Sequence, residues 1–143
     1  MNRPGHVGAV LLTLSPFIHK LGIQFVVFAA IFTVLPDVDI VLRVKHREYT
    51  HNITFGALLT LAAFFVFRQF GIPEILSLSV FVAVVIHIVV DAFTMQKFPP
   101  LYPFSKKRVA LKVFRSDNPA INAGSFILGS LAFVYFAGGG YAG

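Results

Sequence analysis

The sequence predicts an all-α membrane protein, a polytopic bundle of four to five transmembrane helices in a single domain over residues 1–143. Hydrophobic residues make up 57% of the chain and charged residues only 13%, against about 45–50% and about 25% in soluble domains. The mean hydropathy is +0.80. Five apolar stretches divide the chain, and we interpret all five as helices because an isolated strand cannot pair its backbone groups in lipid.

In chain order, the apolar stretches are 7–18, 23–35, 53–67, 75–93 and 120–136. The first is short and contains Pro16, so it is expected to insert partly or to lean on its neighbours. The second can continue past Pro36. Only the last two approach the roughly 20 residues that cross the hydrocarbon layer unaided. The fifth has a start signal, with Ser116 or Asp117 as the expected N-cap and Pro119 in the first turn.

The distribution of positive charge predicts the orientation. The chain has 12 Lys and Arg residues against 6 Asp and Glu. With five crossings, all the basic residues except Lys20 and Arg68 fall on the side that holds the N-terminus. The positive-inside rule makes that side cytoplasmic and the protein a multi-pass protein of the cell (inner) membrane. The basic excess then indicates membrane lipid as the partner, and no nucleic acid is expected.

Histidines and carboxylates collect on the same predicted side. Odd-numbered helices begin there and even-numbered helices end there, so residues distant in sequence converge at one depth. The candidate metal ligands are His6, Asp37, Asp39, His46, His51, His87 and Asp91. The chain has no cysteine, so a metal ion would be held by His and Asp or Glu side chains. His19 and Glu74 map to the opposite side and are excluded.

His87 and Asp91 are the most informative pair. Their i,i+4 spacing puts them on one helix face. An ionisable side chain inside a membrane helix costs about 2.5–3.5 kcal/mol on insertion scales, so such residues usually have a function. A metal ion held by imidazole and carboxylate is the favoured interpretation. The alternative is a His–Asp hydrogen bond that only links helices.

The two acidic residues after Pro36 are also candidate metal ligands. Asp37 and Asp39 lie at a helix C-terminus, where the helix dipole disfavours carboxylates. Two carboxylates in this irregular segment can both turn inward and bind metal, and they can bridge two metal ions. The alternative is a solvated loop exit.

Two further residues are candidates for catalysis. Arg47 lies between His46 and His51, where its planar guanidinium could clamp a phosphate. Glu48 is either a general base or a solvated loop acid.

Taken together, these motifs resemble the membrane-bound metal-dependent hydrolases of the YdjM-like (DUF457) family. The matching elements are His6, the Pro-Asp-x-Asp from Pro36, the His-Arg-x-x-Thr-His from His46 and the His-x-x-x-Asp from His87 with Thr94. The family is distantly similar to zinc-dependent phospholipase C and P1-type nucleases, which hydrolyse phosphate esters at His/Asp-bound zinc. The resemblance implies one or two divalent ions, with zinc expected, and a phosphoesterase that acts on a lipid or lipid-linked phosphate at the cytoplasmic interface.

The chain also departs from the family pattern. Glu48 and Asn52 stand where a small residue and serine are common, and Thr94 is followed by Met-Gln-Lys where a glycine is common. Two other functions fit a one-sided polar cluster in a membrane protein. One is a metal-ion carrier, and the other is a non-catalytic membrane adaptor that works through its basic loop.

Overall fold

Helices are the regular secondary structure of the part of the chain that the computed structural model describes, which is residues 1–41, 43 and 47–139. Within those ranges there is no strand, and two isolated bridges, Thr94 to Phe114 and Phe98 to Val109, hold the long loop after the fourth apolar stretch. The helices are α1 Arg3–Leu14, α2 Ile18–Leu21, α3 Ile23–Phe32, α4 Val38–Val41, α5 Ile53–Gln69, α6 Leu78–Ala92 and α7 Pro119–Ala137. The predicted all-α class is confirmed.

Among the described residues, three helical stretches are long and apolar enough to cross a membrane: Ile23–Ile40, Glu74–Ala92 and Pro119–Ala137. The 17-residue α5 is apolar but shorter. The first apolar stretch divides into α1 and α2 at a 3-10 turn that contains Pro16, because proline cannot donate the helical hydrogen bond at its position.

Asparagine side chains cap the three helices that start at the polar end of the bundle. Asn2 accepts a hydrogen bond from Gly5 N, Asn52 from Phe55 N and Asn118 from Ile121 N. Asparagine is among the best N-cap residues because its side-chain oxygen satisfies an otherwise unpaired N–H. The prediction of Ser116 or Asp117 as the cap of α7 was wrong, since Pro119 takes the first helical position and leaves the residue just before it as the cap.

The closest helix pair is α1 with α7. A Cβ on Gly129 would collide with the backbone of Gly8, and a Cβ on Gly8 would collide with the backbone of Ser125. The Ser125 hydroxyl donates to the Gly5 carbonyl at 2.9 Å. Small residues let membrane helices approach at backbone distance, and this crossing fixes the start of α1 against α7.

Candidate metal centre

Most of the predicted ligands meet in one buried cluster at the polar end of the bundle. They come from the start of α1, the end of the Ile23–Ile40 span, the residues just before α5 and the last turns of α6. The cluster comprises His6, Asp37, Asp39, His51, His87 and Asp91, each at most 3% exposed. His46, also predicted as a ligand, lies outside the described residues. Buried groups of this kind are stable only when paired or bound to metal.

Asp91 is the centre of the cluster. Its Oδ2 lies 3.3 Å from His51 Nε2 and 3.5 Å from His87 Nε2. Its Oδ1 lies 3.3 Å from His6 Nε2 and accepts hydrogen bonds from the Met1 amino group at 2.6 Å and from Arg47 Nη2 at 3.1 Å. One carboxylate oxygen is therefore held by cationic donors, and the other faces two imidazole nitrogens.

Asp37 approaches the same two imidazoles. Its Oδ1 lies 3.5 Å from His51 Nε2 and 3.8 Å from His87 Nε2, and these two nitrogens are 3.1 Å apart. The ligand atoms of a tetrahedral zinc ion, with bonds of about 2.0–2.1 Å, are separated by about 3.3 Å. The spacing of the imidazole and carboxylate atoms around His51 and His87 thus matches the edges of a metal coordination polyhedron.

The tautomer of His87 is set by a main-chain contact. Its Nδ1 lies 2.7 Å from the carbonyl oxygen of Thr33. A carbonyl can only accept, so Nδ1 carries the proton and donates it. In the neutral ring, Nε2 then presents its lone pair to the cluster, as in metal-binding histidines whose second nitrogen is held by an outer partner.

The tautomer of His51 is set in a similar way, by its contact with Thr50. The Thr50 hydroxyl donates to Asp39 Oδ2 at 2.7 Å and lies 3.0 Å from His51 Nδ1. Because a hydroxyl has a single proton, Thr50 accepts from Nδ1. The Nε2 of His51 therefore also presents a lone pair. Asp39, 3.6 Å from Nδ1, lies on the far side of this ring and orients it through Thr50.

Two Nε2 lone pairs and two carboxylate oxygens facing one another repel unless a positive charge lies between them. Burial lowers the pKa of the His51 imidazole, but the carboxylates of Asp37 and Asp91 raise it, and the net direction is upward. A proton on His51 Nε2 and a metal ion would therefore compete for the same position. The donor set of His nitrogen and Asp oxygen fits a divalent ion such as zinc.

His6 forms the edge of the cluster. Its ring stacks on His87 with centroids 3.6 Å apart and planes 9° from parallel. Both of its ring nitrogens, together with Asp91 Oδ2, are buried without a hydrogen-bond partner in the described structure. Such atoms are rare in folded proteins, and imidazole nitrogen and carboxylate oxygen are donor types that bind divalent metal ions.

Two overlapping triads could hold an ion: His51 with His87 and Asp91, and His6 with Asp37 and His87. Both use His87, whose Nδ1 is committed to Thr33. A single nitrogen coordinates one ion, so an ion in the first triad leaves a second ion to be held by His6 and Asp37 with another ligand.

Arg47 lies inside the cluster. Its side chain is 4% exposed, with Nη1 donating to Thr94 Oγ1 at 2.8 Å and Nη2 to Asp91. Its backbone N–H donates to Asp39 Oδ2 at 2.8 Å. The guanidinium thus neutralises Asp91 and fixes its orientation. The phosphate-clamp role of Arg47 stays a prediction.

The side chain of Glu48 contacts Arg108, which is not a residue of the cluster. Its carboxylate accepts from Arg108 Nη2 at 2.7 and 2.5 Å, at a surface pocket beside the cluster. A general-base role for Glu48 stays a prediction.

Four contributors were not predicted: the Met1 amino group, the Thr33 carbonyl, and the hydroxyls of Thr50 and Thr94. The threonines lie within the motifs that contain His51 and Asp91, so that proximity was an available signal. A main-chain carbonyl such as that of Thr33 has no side-chain signature and could not be found from the sequence.

Comparison with known proteins agrees with this architecture. The model of the YdjM inner membrane protein family matches residues 1–142. The chain is also similar to the uncharacterized protein YfhP of Bacillus subtilis (strain 168), with 34% identity over 117 residues that cover 73% of this chain and 34% of YfhP. The chain thus spans about a third of the length of that relative. No solved structure matches it significantly. The chain belongs to the YdjM inner membrane protein family.

Proposed function

We propose that this protein is a membrane-embedded, metal-dependent hydrolase, a phosphoesterase that acts on a lipid or lipid-linked phosphate. The observation that supports this most is the convergence of His51 Nε2, His87 Nε2 and carboxylate oxygens of Asp37 and Asp91 at 3.1–3.8 Å. Their outer partners fix both imidazoles in the metal-binding tautomer.

The residues of the cluster divide into two roles. His51, His87 and Asp91 hold the first ion, for which zinc is the expected metal, and Asp37 and His6 complete its surroundings or hold a second. A divalent ion bound there supplies Lewis-acid activation of water and of a phosphate oxygen.

The remaining polar groups position these ligands. The Thr33 carbonyl and Thr50 set the imidazole tautomers, and Asp39 holds Thr50. Arg47 balances the charge of Asp91, and its buried Nε, which has no hydrogen-bond partner among the described residues, could donate to a phosphate oxygen that enters the cluster. Fixed outer partners commonly change metal affinity or activity by about 10–100-fold when they are lost.

The position of the cluster favours a lipid substrate. It lies where the Ile23–Ile40 and Glu74–Ala92 spans end, which in a membrane would be the depth of the headgroup ester bonds. The 94–115 loop, which begins three residues after Asp91, carries six basic residues that favour an anionic substrate.

The proposed activity is tested with protein purified in detergent, stripped with a chelator and reloaded with zinc. We expect phosphate release from phosphatidic acid or from a soluble phosphate ester only after reloading. Loaded protein that hydrolyses no phosphate ester would contradict the proposal. Zinc flux in proteoliposomes without ester turnover would favour a metal-ion carrier.

We also propose that the N-terminus and the metal centre face the cytoplasm. The chain has no cysteine, so single cysteines can be placed without background at two exposed lysines, Lys107 in the loop after α6 and Lys20 in α2. In intact spheroplasts, a membrane-impermeant maleimide should label Lys20→Cys and leave Lys107→Cys unlabelled until lysis. The reverse pattern would contradict the orientation.

A further inference from the structure

A polar surface pocket of about 320 Å³ lies next to the metal centre and has no role in the chemistry described above. It is lined by Glu48, Tyr49, Pro99, Tyr102, Lys106 and Arg108. We propose that this pocket binds a second oxyanion of the substrate, a phosphate or carboxylate of a headgroup, with Lys106 and Arg108 as its binding residues. The inference rests on the proposed function, because the molecule that binds in the pocket is the substrate of the adjacent metal centre.

Both walls of the pocket continue directly from the cluster. Glu48 and Tyr49 lie in sequence between Arg47, which contacts Asp91, and Thr50, which contacts His51. Pro99 follows Phe98, whose ring lies 6.2 Å from that of His51. Each wall of the pocket is therefore separated from a residue of the cluster, or from a residue that contacts it, by only a few positions in the chain.

The walls are also held together. Ile53 N donates to the Pro100 carbonyl at 3.0 Å and Thr54 Oγ1 to the Tyr102 carbonyl at 2.8 Å, which ties the turn before Pro103 to the start of α5. The rings of Tyr49 and Tyr102 meet edge to face with centroids 5.9 Å apart. Such a site is preformed, so ligand binding need not order the loop first.

The charges select an anion. Among the described residues that line the pocket are two cations and one carboxylate, and the carboxylate of Glu48 accepts from Nη2 of Arg108. A guanidinium has two further nitrogens that can bind an oxyanion, and the Lys106 ammonium has three donors. Glu48 then acts as an internal competitor that holds Arg108 in place and that an incoming oxyanion displaces in part.

The pairing of Glu48 with Arg108 can be distinguished by experiment from a general-base role of Glu48. If Glu48 competes for Arg108, Glu48→Gln strengthens oxyanion binding, because the guanidinium loses its carboxylate partner. If Glu48 instead acts as a general base, the same substitution lowers turnover and leaves binding unchanged.

Binding is measured by tyrosine fluorescence. The chain has four tyrosines and no tryptophan, so tryptophan emission does not mask the signal. The protein is held in phosphatidylcholine bicelles, which contain no other protein, and titrated with inorganic phosphate, and in a second arm the bicelles contain phosphatidic acid. Lys107 provides the matched control, since it adjoins Lys106 and is exposed but does not line the pocket.

We expect Lys106→Ala and Arg108→Gln each to weaken binding about tenfold, the loss of one charge-assisted hydrogen bond, and Lys107→Ala to leave it unchanged. Response to inorganic phosphate indicates a soluble phosphate ligand, and response only to phosphatidic acid indicates a lipid headgroup. Equal losses in Lys106→Ala and Lys107→Ala, or no response in either arm, would overturn the inference. This readout needs no turnover, so failure of the hydrolysis assay alone overturns only the proposed function.

Discussion

Asp91→Asn is expected to remove the metal ion and to abolish hydrolysis while the protein stays folded. The asparagine oxygen can take the place of Oδ1 and still accept from Met1 and Arg47. Its amide nitrogen then takes the place of Oδ2, 3.3 Å from His51 Nε2, and points a hydrogen at the position of the ion. Loss of an outer partner alone changes metal affinity by about 10–100-fold. Replacing a ligand oxygen by an N–H donor should therefore weaken metal binding at least about a hundredfold.

Asparagine is preferred to alanine at this position for a physical reason. Asp91→Ala would leave the guanidinium of Arg47 buried without its partner, and breaking a buried ion pair in this way costs about 3–5 kcal/mol. Loss of metal in that variant could then reflect unfolding.

The matched control is Asp117→Asn. The Asp117 carboxylate is exposed and pairs with Arg115 at 2.9 Å, away from the cluster. It should keep full metal content, full turnover and an unchanged melting temperature. If Asp91→Asn behaved as Asp117→Asn does in metal content and turnover, Asp91 would not be a ligand.

Gly129→Ala is expected to destabilise the protein although it adds only a methyl group. The new Cβ would collide with the backbone of Gly8, so α1 and α7 must separate. Overpacking of this kind costs about 1–3 kcal/mol. The shift also moves the start of α1, and with it His6, so weaker metal binding should accompany the lower melting temperature.

Gly124→Ala is the control for this prediction. It lies on the same helix, and nothing lies within 4 Å of the Cβ it would add. Alanine favours a helix over glycine by about 1 kcal/mol, so this variant should melt at the same or a higher temperature. Equal melting temperatures for the two variants would show that the α1–α7 contact does not limit stability.

The fold class and the convergence of the polar residues followed from the sequence for a simple physical reason. Lipid permits few structures, and helices that alternate in direction bring His6, His51 and His87 to one end. The resemblance to the YdjM-like family, based on the same motifs, is confirmed by the match over residues 1–142.

The parts that were missed depend on tertiary contacts. The side chain of Arg47 contacts Asp91 and Thr94, and this contact could be found only by knowing how the segment before α5 packs against the end of α6. The tautomer of His87 depends on a carbonyl 54 positions earlier in the chain. The backbone contact between Gly8 and Gly129 likewise has no local pattern that identifies the partner helix.

The most direct measurement is the metal content of the wild-type protein, purified without added metal, dialysed and analysed by elemental mass spectrometry. A buried site of His51, His87 and Asp91 predicts at least one divalent ion per chain, retained through dialysis and released by a chelator. Metal X-ray absorption should show only nitrogen and oxygen ligands at about 2.0–2.2 Å. A folded protein that contains no metal, and takes up none when zinc is supplied, would contradict the metal centre.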